Sequence, residues 1–192
     1  CKSVVSLAVG LLSDDGVLSV HDEVAGIFDE AGTTALRRRL KGMTVEDLLT
    51  MRSGVLFTEA EALTETDWVR RFLGATLKGE PGKEFAYNSL NTYLLAAIVR
   101  LKAGKSLTEL LQERLFDPMG ITGVHWETCP KGIEKGGWGL YIRPEDLTKL
   151  GQLVMDGGLW QGERLLSRAY IDAAATAYAV PPETAGDFNY GY

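Results

Sequence analysis

The sequence predicts a helix-rich α+β chain, and three observations lead to that fold class. Apolar residues recur at helical spacing along most of the chain, and several of these segments begin with a capping residue. Strand signals are scarce, since "VLSV" is short and "VHWETC" is ambiguous. The final "DFNYGY" is strand-like but has no predicted neighbour, and an isolated strand is not stable. We therefore expect layers of helices, packed on a sheet whose strands lie outside this sequence.

The first predicted helix begins with the chain itself. Its apolar residues share one face, and "SDDG" ends the helix. They are Val4, Val5, Ala8, Leu11 and Leu12.

Capping patterns predict where the later helices begin. Thr44, with Asp47 as its partner, is the predicted N-cap of "VEDLLTMRS". Ser106 and Glu109 form an S-x-x-E capping box before "LTELLQERLF". Pro144 is predicted at the first position of "PEDLTKLGQLVMDGG". The apolar stripe predicted for that last helix is Leu147, Leu150 and Val154.

Composition limits the classes of partner. The chain has 192 residues, 45% of them hydrophobic and 24% charged, which is ordinary for a globular protein. Its net charge of −6 argues against a nucleic-acid or anionic-membrane partner. The longest apolar runs cover only a few residues, so no transmembrane helix or signal region is predicted.

No metal site or cofactor is predicted. The two cysteines, Cys1 and Cys129, have no C-x-x-C spacing, and the two histidines, His21 and His125, are far apart. The sequence contains no H-E-x-x-H, no G-x-S-x-G and no glycine-rich phosphate loop.

Four polar residues are unremarkable when each is taken alone. Lys2 precedes an apolar helix face, where a lysine usually extends its amine to solvent. Tyr87 follows a Pro-Gly turn and is, by itself, an ordinary half-buried loop aromatic. Asn88 and Ser89 are common helix-entry residues.

Five sequence blocks, taken in order, give these residues a second interpretation. The blocks are "CKSVVSLAVGLLSDDGVLSVHDEV", "MTVEDLLTMRSGV", "PGKEFAYNS…YLLAAIV", "LFDPMGI" and "GGWGLYIRPEDLTKLGQLVMDGGLWQGERLL". Each block is only moderately specific, but their succession resembles the serine β-lactamase-related superfamily. That superfamily includes class C β-lactamases, DD-peptidases, esterases of the same fold and 6-aminohexanoate-dimer hydrolases.

The resemblance covers nearly the whole chain and implies its fold. We expect the helix-rich portion of a β-lactamase/transpeptidase-like fold, whose parent combines an antiparallel sheet flanked by helices with an all-helical domain. Residues 1–20 would form the nucleophile-motif helix and its following turn, as part of the α/β domain. Residues 21–182 would form the mainly helical domain, and residues 183–192 would begin the return into the sheet.

The first motif of that superfamily is S-x-x-K at the start of a buried helix. Aligning its lysine with Lys2 places the nucleophilic serine two residues before Cys1. A serine three positions before a lysine lies on the same helix face. The third motif, K-T-G or H-x-G on a strand, would follow "NYGY". We therefore expect that the chain is truncated and that these two elements lie outside it.

The second motif is Y-x-N, which Tyr87, Asn88 and Ser89 resemble, with serine where the β-lactamases have asparagine. The resemblance implies that Lys2 and Tyr87 are catalytic and share proton transfer. It implies substrate contacts for Ser89, Asn88 and Trp138, although Trp138 in "GGWGLY" is equally suited to packing. The serine in the third position favours an esterase or a small-amide hydrolase over a dedicated β-lactamase.

The function implied is acyl-serine hydrolysis of a small-molecule ester, amide or lactam, without metal or organic cofactor. Two alternatives stay open at this stage. The parent could be a non-catalytic relative that uses its cleft for binding or sensing, or the chain could be a helical fragment with no activity of its own. The sequence leaves open the substrate, the oligomeric state and the compartment, with the bacterial cytoplasm and an extracytoplasmic location both possible.

Overall fold

The computed structural model describes residues 1–28, 34–176, 178 and 190–192, so most of the predicted 183–192 segment lies outside the described residues. The helices are α1 (Lys2–Asp14), α2 (Val24–Ile27), α3 (Thr34–Arg39), α4 (Val45–Leu49), α5 (Glu59–Ala62), α6 (Trp68–Gly74), α7 (Ser89–Ala103), α8 (Leu107–Leu111), α9 (Pro144–Met155) and α10 (Arg168–Ala174). Helix α8 continues as a π-helical turn, Gln112–Phe116. The strands are β1 (His125–Trp126), β2 (Leu140–Tyr141), β3 (Leu159–Trp160) and β4 (Glu163–Arg164).

The strands form two small antiparallel hairpins, β1 with β2 and β3 with β4. The ambiguous "VHWETC" segment therefore contributes a strand, pairing His125 with Tyr141 and Trp126 with Leu140. Among the described residues, none of the helices combines the length and apolar character that a bilayer crossing requires.

Helix α7 lies at the centre of the molecule. It packs against α1, α4, α6 and α8, and α1 also packs against α8 and α10. Residues 4–12 of α1 and residues 89–99 of α7 are buried on every side. A helix buried all round belongs to the core, so the apolar face predicted for α1 is only part of its contact surface.

Helix α10 lies on α1 where a glycine makes room for a tyrosine ring. The Tyr170 hydroxyl donates to the carbonyl oxygen of Ser6 at 2.8 Å. A Cβ atom added at Gly10 would lie 2.5 Å from a carbon of the Tyr170 ring, closer than real Cβ contacts. The absence of a side chain at Gly10 therefore sets how closely the two helices approach.

The capping predictions are confirmed. Thr44 and Asp47 make both bonds of a capping box at the start of α4, and Ser106 and Glu109 do the same at α8. Pro144 is the first residue of α9. The two capping boxes depend only on residues three positions apart, which is why the sequence alone places them correctly.

The predicted stripe of α9 is wrong at two of its three positions. Leu150 is buried together with Leu153, whereas Leu147 is 51% exposed and Val154 is 38% exposed. The inward face also carries Asp146, whose fully buried carboxylate pairs with cations three residues before and after it on the helix. A stripe drawn from apolar residues alone leaves out this buried carboxylate, and it therefore misplaces the inward face of the helix.

The segment before α5 is fastened to the start of α7 by the side chain of Asn88. Asn88 is the N-cap of α7, and its side-chain oxygen accepts from the backbone N–H of Leu90 at 2.9 Å. Its Nδ2 donates to the carbonyl oxygens of Val55 at 2.9 Å and Phe57 at 3.1 Å. One side chain thus caps a helix and holds a loop, which fixes the position of Tyr87 just before it.

A second tie between the same two segments is fully buried. The Ser53 hydroxyl donates to Oδ1 of Asn91 on α7 at 2.7 Å, and it accepts from the backbone N–H of Val55 at 3.2 Å. Because neither side chain reaches water, these bonds replace hydration that both groups would otherwise lose.

The close approach at Gly10 predicts opposite effects for two glycine-to-alanine substitutions. Gly10→Ala should lower the free energy of unfolding by about 1–3 kcal/mol, because the new methyl group overlaps the Tyr170 ring. Gly151→Ala, in α9 with open space around it, should raise that free energy by about 0.5–1 kcal/mol. Urea denaturation of the two variants measures both changes, and equal stabilisation by both would contradict the packing described.

The double role of Asn88 predicts a large cost for its loss. Asn88→Ala should lower the free energy of unfolding by about 2–3 kcal/mol, because the cap and the two bonds to the loop disappear together. Asn88→Asp should not restore stability, since it keeps the cap but sets a carboxylate oxygen against the carbonyl oxygens of Val55 and Phe57.

The control for this comparison is Ser167→Ala, which removes only the N-cap of α10 and should cost about 1 kcal/mol. Denaturant titration gives all three values. Wild-type stability in Asn88→Asp would show that the bonds from the Asn88 amide to the loop contribute nothing.

Candidate active site

Lys2 begins α1 and places its amine at a cleft between the start of α1 and the start of α7. Its Nζ donates to the carbonyl oxygen of Gly137 at 2.8 Å. The same atom lies 4.9 Å from the centroid of the Tyr87 ring, where a cation is attracted to the face of the aromatic system. Lys2 is therefore not a lysine extended into bulk solvent.

Tyr87 stands between that ammonium group and a second tyrosine. It immediately precedes Asn88, and 57% of its surface is exposed. Its ring meets Tyr190 edge to face, with ring centroids 6.2 Å apart and an interplanar angle of 77°. The structure thus brings Lys2 and Tyr87 together, although Nζ faces the ring of Tyr87 and bonds to Gly137.

Two glycines allow the acceptor of Lys2 to come so close. A Cβ atom at Gly137 would lie 2.6 Å from the carbonyl oxygen of Ser89, and one at Gly136 would lie 2.6 Å from that of Thr92. Gly136 also has a φ of +64°, which favours glycine. The loop of "GGWGLY" therefore rests directly on the α7 backbone and presents its carbonyl to Lys2.

The remaining predicted residues lie around this centre. Ser89 is the first residue of α7, is only 6% exposed, and lies beneath Gly137. The amide of Asn88 is engaged by the loop at Val55 and Phe57. Substrate contacts by Ser89 and Asn88 stay predictions.

Trp138 has contacts that favour the packing interpretation. Its ring stacks on Trp68 with centroids 5.8 Å apart, and Trp68 in turn meets Tyr93 edge to face at 5.1 Å. The Nζ of Lys135 lies 5.9 Å from the Trp138 ring. Among the described residues, the side chains that line the cleft do not include Trp138.

The cleft has a volume of about 480 Å³. Its described lining consists of Cys1, Lys2, Ser3, Tyr87, Gly137, Tyr190, Gly191 and Tyr192. Sequence reasoning missed Gly137, Tyr190 and Tyr192 as members of this site. The repeated glycines of "GGWG" and the aromatic residues of "NYGY" were the available signals. Neither pattern indicates that its segment lies next to Lys2 and Tyr87 in the fold.

Burial changes the acidity of two tyrosines at the cleft. Burial raises the pKa of Tyr190 to about 12, so its hydroxyl stays uncharged to more alkaline pH than that of an exposed tyrosine. The pKa of Tyr192 is also raised. The main cause is burial, and a hydrogen bond that its hydroxyl donates to the Glu46 carboxylate at 2.7 Å adds to it. Within the described part of the chain, no group of three or more histidine, cysteine, aspartate or glutamate side chains could hold a metal ion.

Curated relatives are similar across much of the chain. The 6-aminohexanoate-dimer hydrolase of Paenarthrobacter ureafaciens is 26% identical over 192 residues, covering 90% of this chain and 48% of that protein. Protein flp of Staphylococcus aureus strain N315 is 26% identical over 128 residues, covering 63% of this chain and 26% of that protein. The chain therefore spans about half the length of the first relative and about a quarter of the second.

Solved structures share the fold. A penicillin-binding protein homologue from Pyrococcus abyssi aligns with a TM-score of 0.76 at 24% identity, over 100% of this chain and 50% of that one. A penicillin binding protein from Bacillus halodurans gives a TM-score of 0.76 at 22% identity, over 100% of this chain and 67% of that one. These alignments confirm the predicted fold class, the helix-rich part of an α+β, β-lactamase-like fold.

The family assignment rests on the full length of the sequence. The family model described as Beta-lactamase matches residues 1–192, which include the blocks that carry Lys2 and Tyr87. The chain belongs to the Beta-lactamase family.

Proposed function

We propose that this chain contributes the lysine and tyrosine of a serine hydrolase that cleaves a small-molecule ester, amide or lactam through an acyl-serine intermediate. The observation that carries the proposal is the meeting of Lys2 and Tyr87 at one cleft, with Nζ 4.9 Å from the tyrosine ring. These residues come from separate sequence blocks, at the start of α1 and just before α7. A lysine and a tyrosine at one cleft can serve as the base and the acid of a mechanism on serine.

The proposed mechanism divides proton transfer between these two groups. A serine hydroxyl is a weak nucleophile until a base removes its proton, and the S-x-x-K pattern sets the serine one helical turn before Lys2. In its neutral form, the Lys2 amine accepts that proton while the serine oxygen bonds to the substrate carbonyl carbon. Tyr87 donates a proton to the departing oxygen or nitrogen as its bond to carbon breaks, and the Lys2 ammonium then returns a proton to the Tyr87 oxygen, so that both groups are restored. Water then hydrolyses the acyl-serine ester and restores the serine.

The observed position of Lys2 suits such a role after a small movement. Nζ is held by Gly137 beside the ring of Tyr87, and rotation about the four-carbon side chain can carry it toward the tyrosine hydroxyl. Catalytic hydrogen bonds in unliganded sites are often long and tighten when substrate binds. Gly137 therefore supports Lys2 inside the cleft between turnovers.

Ser89, the residue after Asn88, helps to distinguish esters and small amides from β-lactams as substrates. Ser89 occupies the position at which the β-lactamases carry asparagine, and it is almost fully buried under Gly137. We therefore favour an ester or a small amide over a β-lactam. The similarity to a protein named 6-aminohexanoate-dimer hydrolase, over 90% of this chain, supports the same preference.

The assignment of Tyr87 predicts a loss of turnover without a loss of folding. In the protein that carries this chain, Tyr87→Phe should lower kcat for an ester substrate by about 10²–10⁴-fold, the usual contribution of a positioned acid–base group. The matched control is Tyr141→Phe, since Tyr141 is similarly exposed but bonds to Glu127 on the β1–β2 hairpin. Near-normal turnover in Tyr87→Phe would remove this residue from the mechanism.

The assignment of Lys2 predicts how a serine-directed reagent behaves. A fluorophosphonate probe should label one serine of the protein that carries this chain, and peptide mapping should place it three positions before Lys2. Lys2→Met keeps the length of the side chain but removes the base, so the labelling rate should fall at least about 100-fold.

Lys135→Met is the control for the Lys2 variant, because Lys135 pairs with Glu127 outside the described cleft lining, and it should label at the wild-type rate. Absence of labelling in the wild-type protein would favour a non-catalytic relative that uses the cleft for binding. Unchanged labelling of Lys2→Met would exclude Lys2 as the base.

A further inference from the structure

Three aromatic rings form a continuous row, of which Tyr87 and Tyr190 line the cleft and Phe85 packs against Tyr190. Tyr190 lies in the middle, 5.3 Å from the Phe85 ring and 6.2 Å from the Tyr87 ring, measured between centroids. Beyond Tyr87 lies the Nζ of Lys2. We call Phe85, Tyr87 and Tyr190 the aromatic wall. Its ring faces and edges suit contact with another planar ring, because aromatic pairs prefer tilted or edge-to-face arrangements.

The wall is fixed in place by bonds that do not involve a ligand. The carbonyl oxygen of Tyr190 accepts from the backbone N–H of Tyr178 at 2.9 Å. Two residues further along, the N–H of Tyr192 donates to the carbonyl oxygen of Ala174 at the end of α10, at 3.0 Å. The Tyr192 hydroxyl donates to the carboxylate of Glu46, the second residue of α4. The middle ring is therefore already positioned when a ligand arrives.

Charge at this cleft differs from charge on the chain as a whole. The chain has a net charge of −6, yet Lys2 provides the one charged side chain among the described residues that line the cleft. The Tyr190 hydroxyl is uncharged at neutral pH, as tyrosines ordinarily are, and burial raises its pKa further, to about 12. A lysine amine beside aromatic rings can donate a hydrogen bond to a carboxylate or carbonyl oxygen, and its protonated form also attracts a carboxylate, so the cleft suits a ligand with such an oxygen at one end and an apolar ring at the other.

We propose that the aromatic wall and Lys2 form a subsite for carboxylic acids that carry an aryl ring and for the acyl groups derived from them, with phenylacetate as the probe. The aryl ring lies against Tyr190, and the carboxylate or carbonyl oxygen points toward Lys2. This subsite names a substrate class for the hydrolase proposed above and rests on that proposal for turnover, whereas binding of the free acid does not depend on it. The preference is for a planar ring over a saturated ring of the same carbon count.

Binding of two free acids tests the subsite directly. Phenylacetate and cyclohexylacetate have the same charge and the same carbon skeleton but differ in ring planarity. Isothermal titration calorimetry on the protein that carries this chain should show phenylacetate binding about 3–10-fold more tightly, which is the range expected from an aromatic pair. Equal affinities, or no binding of phenylacetate, would overturn the subsite.

Substitutions at Tyr190 show which contact is responsible. Tyr190→Leu keeps an apolar side chain but removes the ring, so the preference for phenylacetate should disappear. Tyr190→Phe keeps the ring and should retain the preference, so the role of the ring stays testable even if the leucine variant fails to fold. Tyr141→Leu, a tyrosine replaced outside the cleft lining, should bind both acids as the wild type does. An unchanged preference in Tyr190→Leu would overturn the subsite.

Turnover of matched esters separates this proposal from the one on which it rests. The p-nitrophenyl esters of the same two acids share a leaving group, and kcat/KM should favour the phenylacetyl ester by about the same 3–10-fold. If neither ester is hydrolysed but phenylacetate still binds through Tyr190, the hydrolase proposal fails and the subsite stands. If both esters are hydrolysed equally well and the two acids bind alike, the subsite fails and the hydrolase proposal stands.

Discussion

The packing of α1 against α7 is the contact on which the candidate site depends. Lys2 is the first residue of α1, and Tyr87 lies two residues before the first residue of α7, so the site is the junction of two helix starts. Each helix is surrounded by other parts of the chain along residues 4–12 and 89–99. Closely packed interiors resist small displacements, so the core fixes the relative position of the two helix starts from which Lys2 and Tyr87 project.

The parts of the structure that could be predicted from sequence depend on near neighbours along the chain. The capping boxes of α4 and α8 follow from residues three positions apart, and both were predicted correctly. The inward face of α9 could not be predicted in the same way, because a buried carboxylate with two cationic neighbours contributes to it. Lys2 and Tyr87 could be paired only through the family resemblance, since no local pattern joins them. Tyr190 had no such pattern either, because the aromatic rings that it contacts lie more than a hundred residues away.

Three consecutive residues, 87–89, combine a role proposed for chemistry with roles in the fold. Tyr87 faces the cleft, Asn88 holds the loop at Val55 and Phe57, and Ser89 is buried under Gly137. Stability and site geometry are therefore coupled here, since a substitution that removes the hydrogen bonds of Asn88 would also shift Tyr87 and Ser89. The cleft can therefore vary in specificity through Tyr190 and Tyr192 more readily than through the helix start itself.

The partner of Lys2 is a main-chain oxygen, and this has a consequence for how the site can be dissected. No change of side chain at residue 137 deletes a peptide carbonyl, so an alanine scan of polar groups would never register the bond between Nζ and that oxygen. Because the loop touches the α7 backbone, a substitution at residue 137 acts through displacement and not through removal of an acceptor. The hydrogen bond of Lys2 thus depends on two residues, Gly136 and Gly137, that have no side chain. A count of polar side chains around the lysine would not include them.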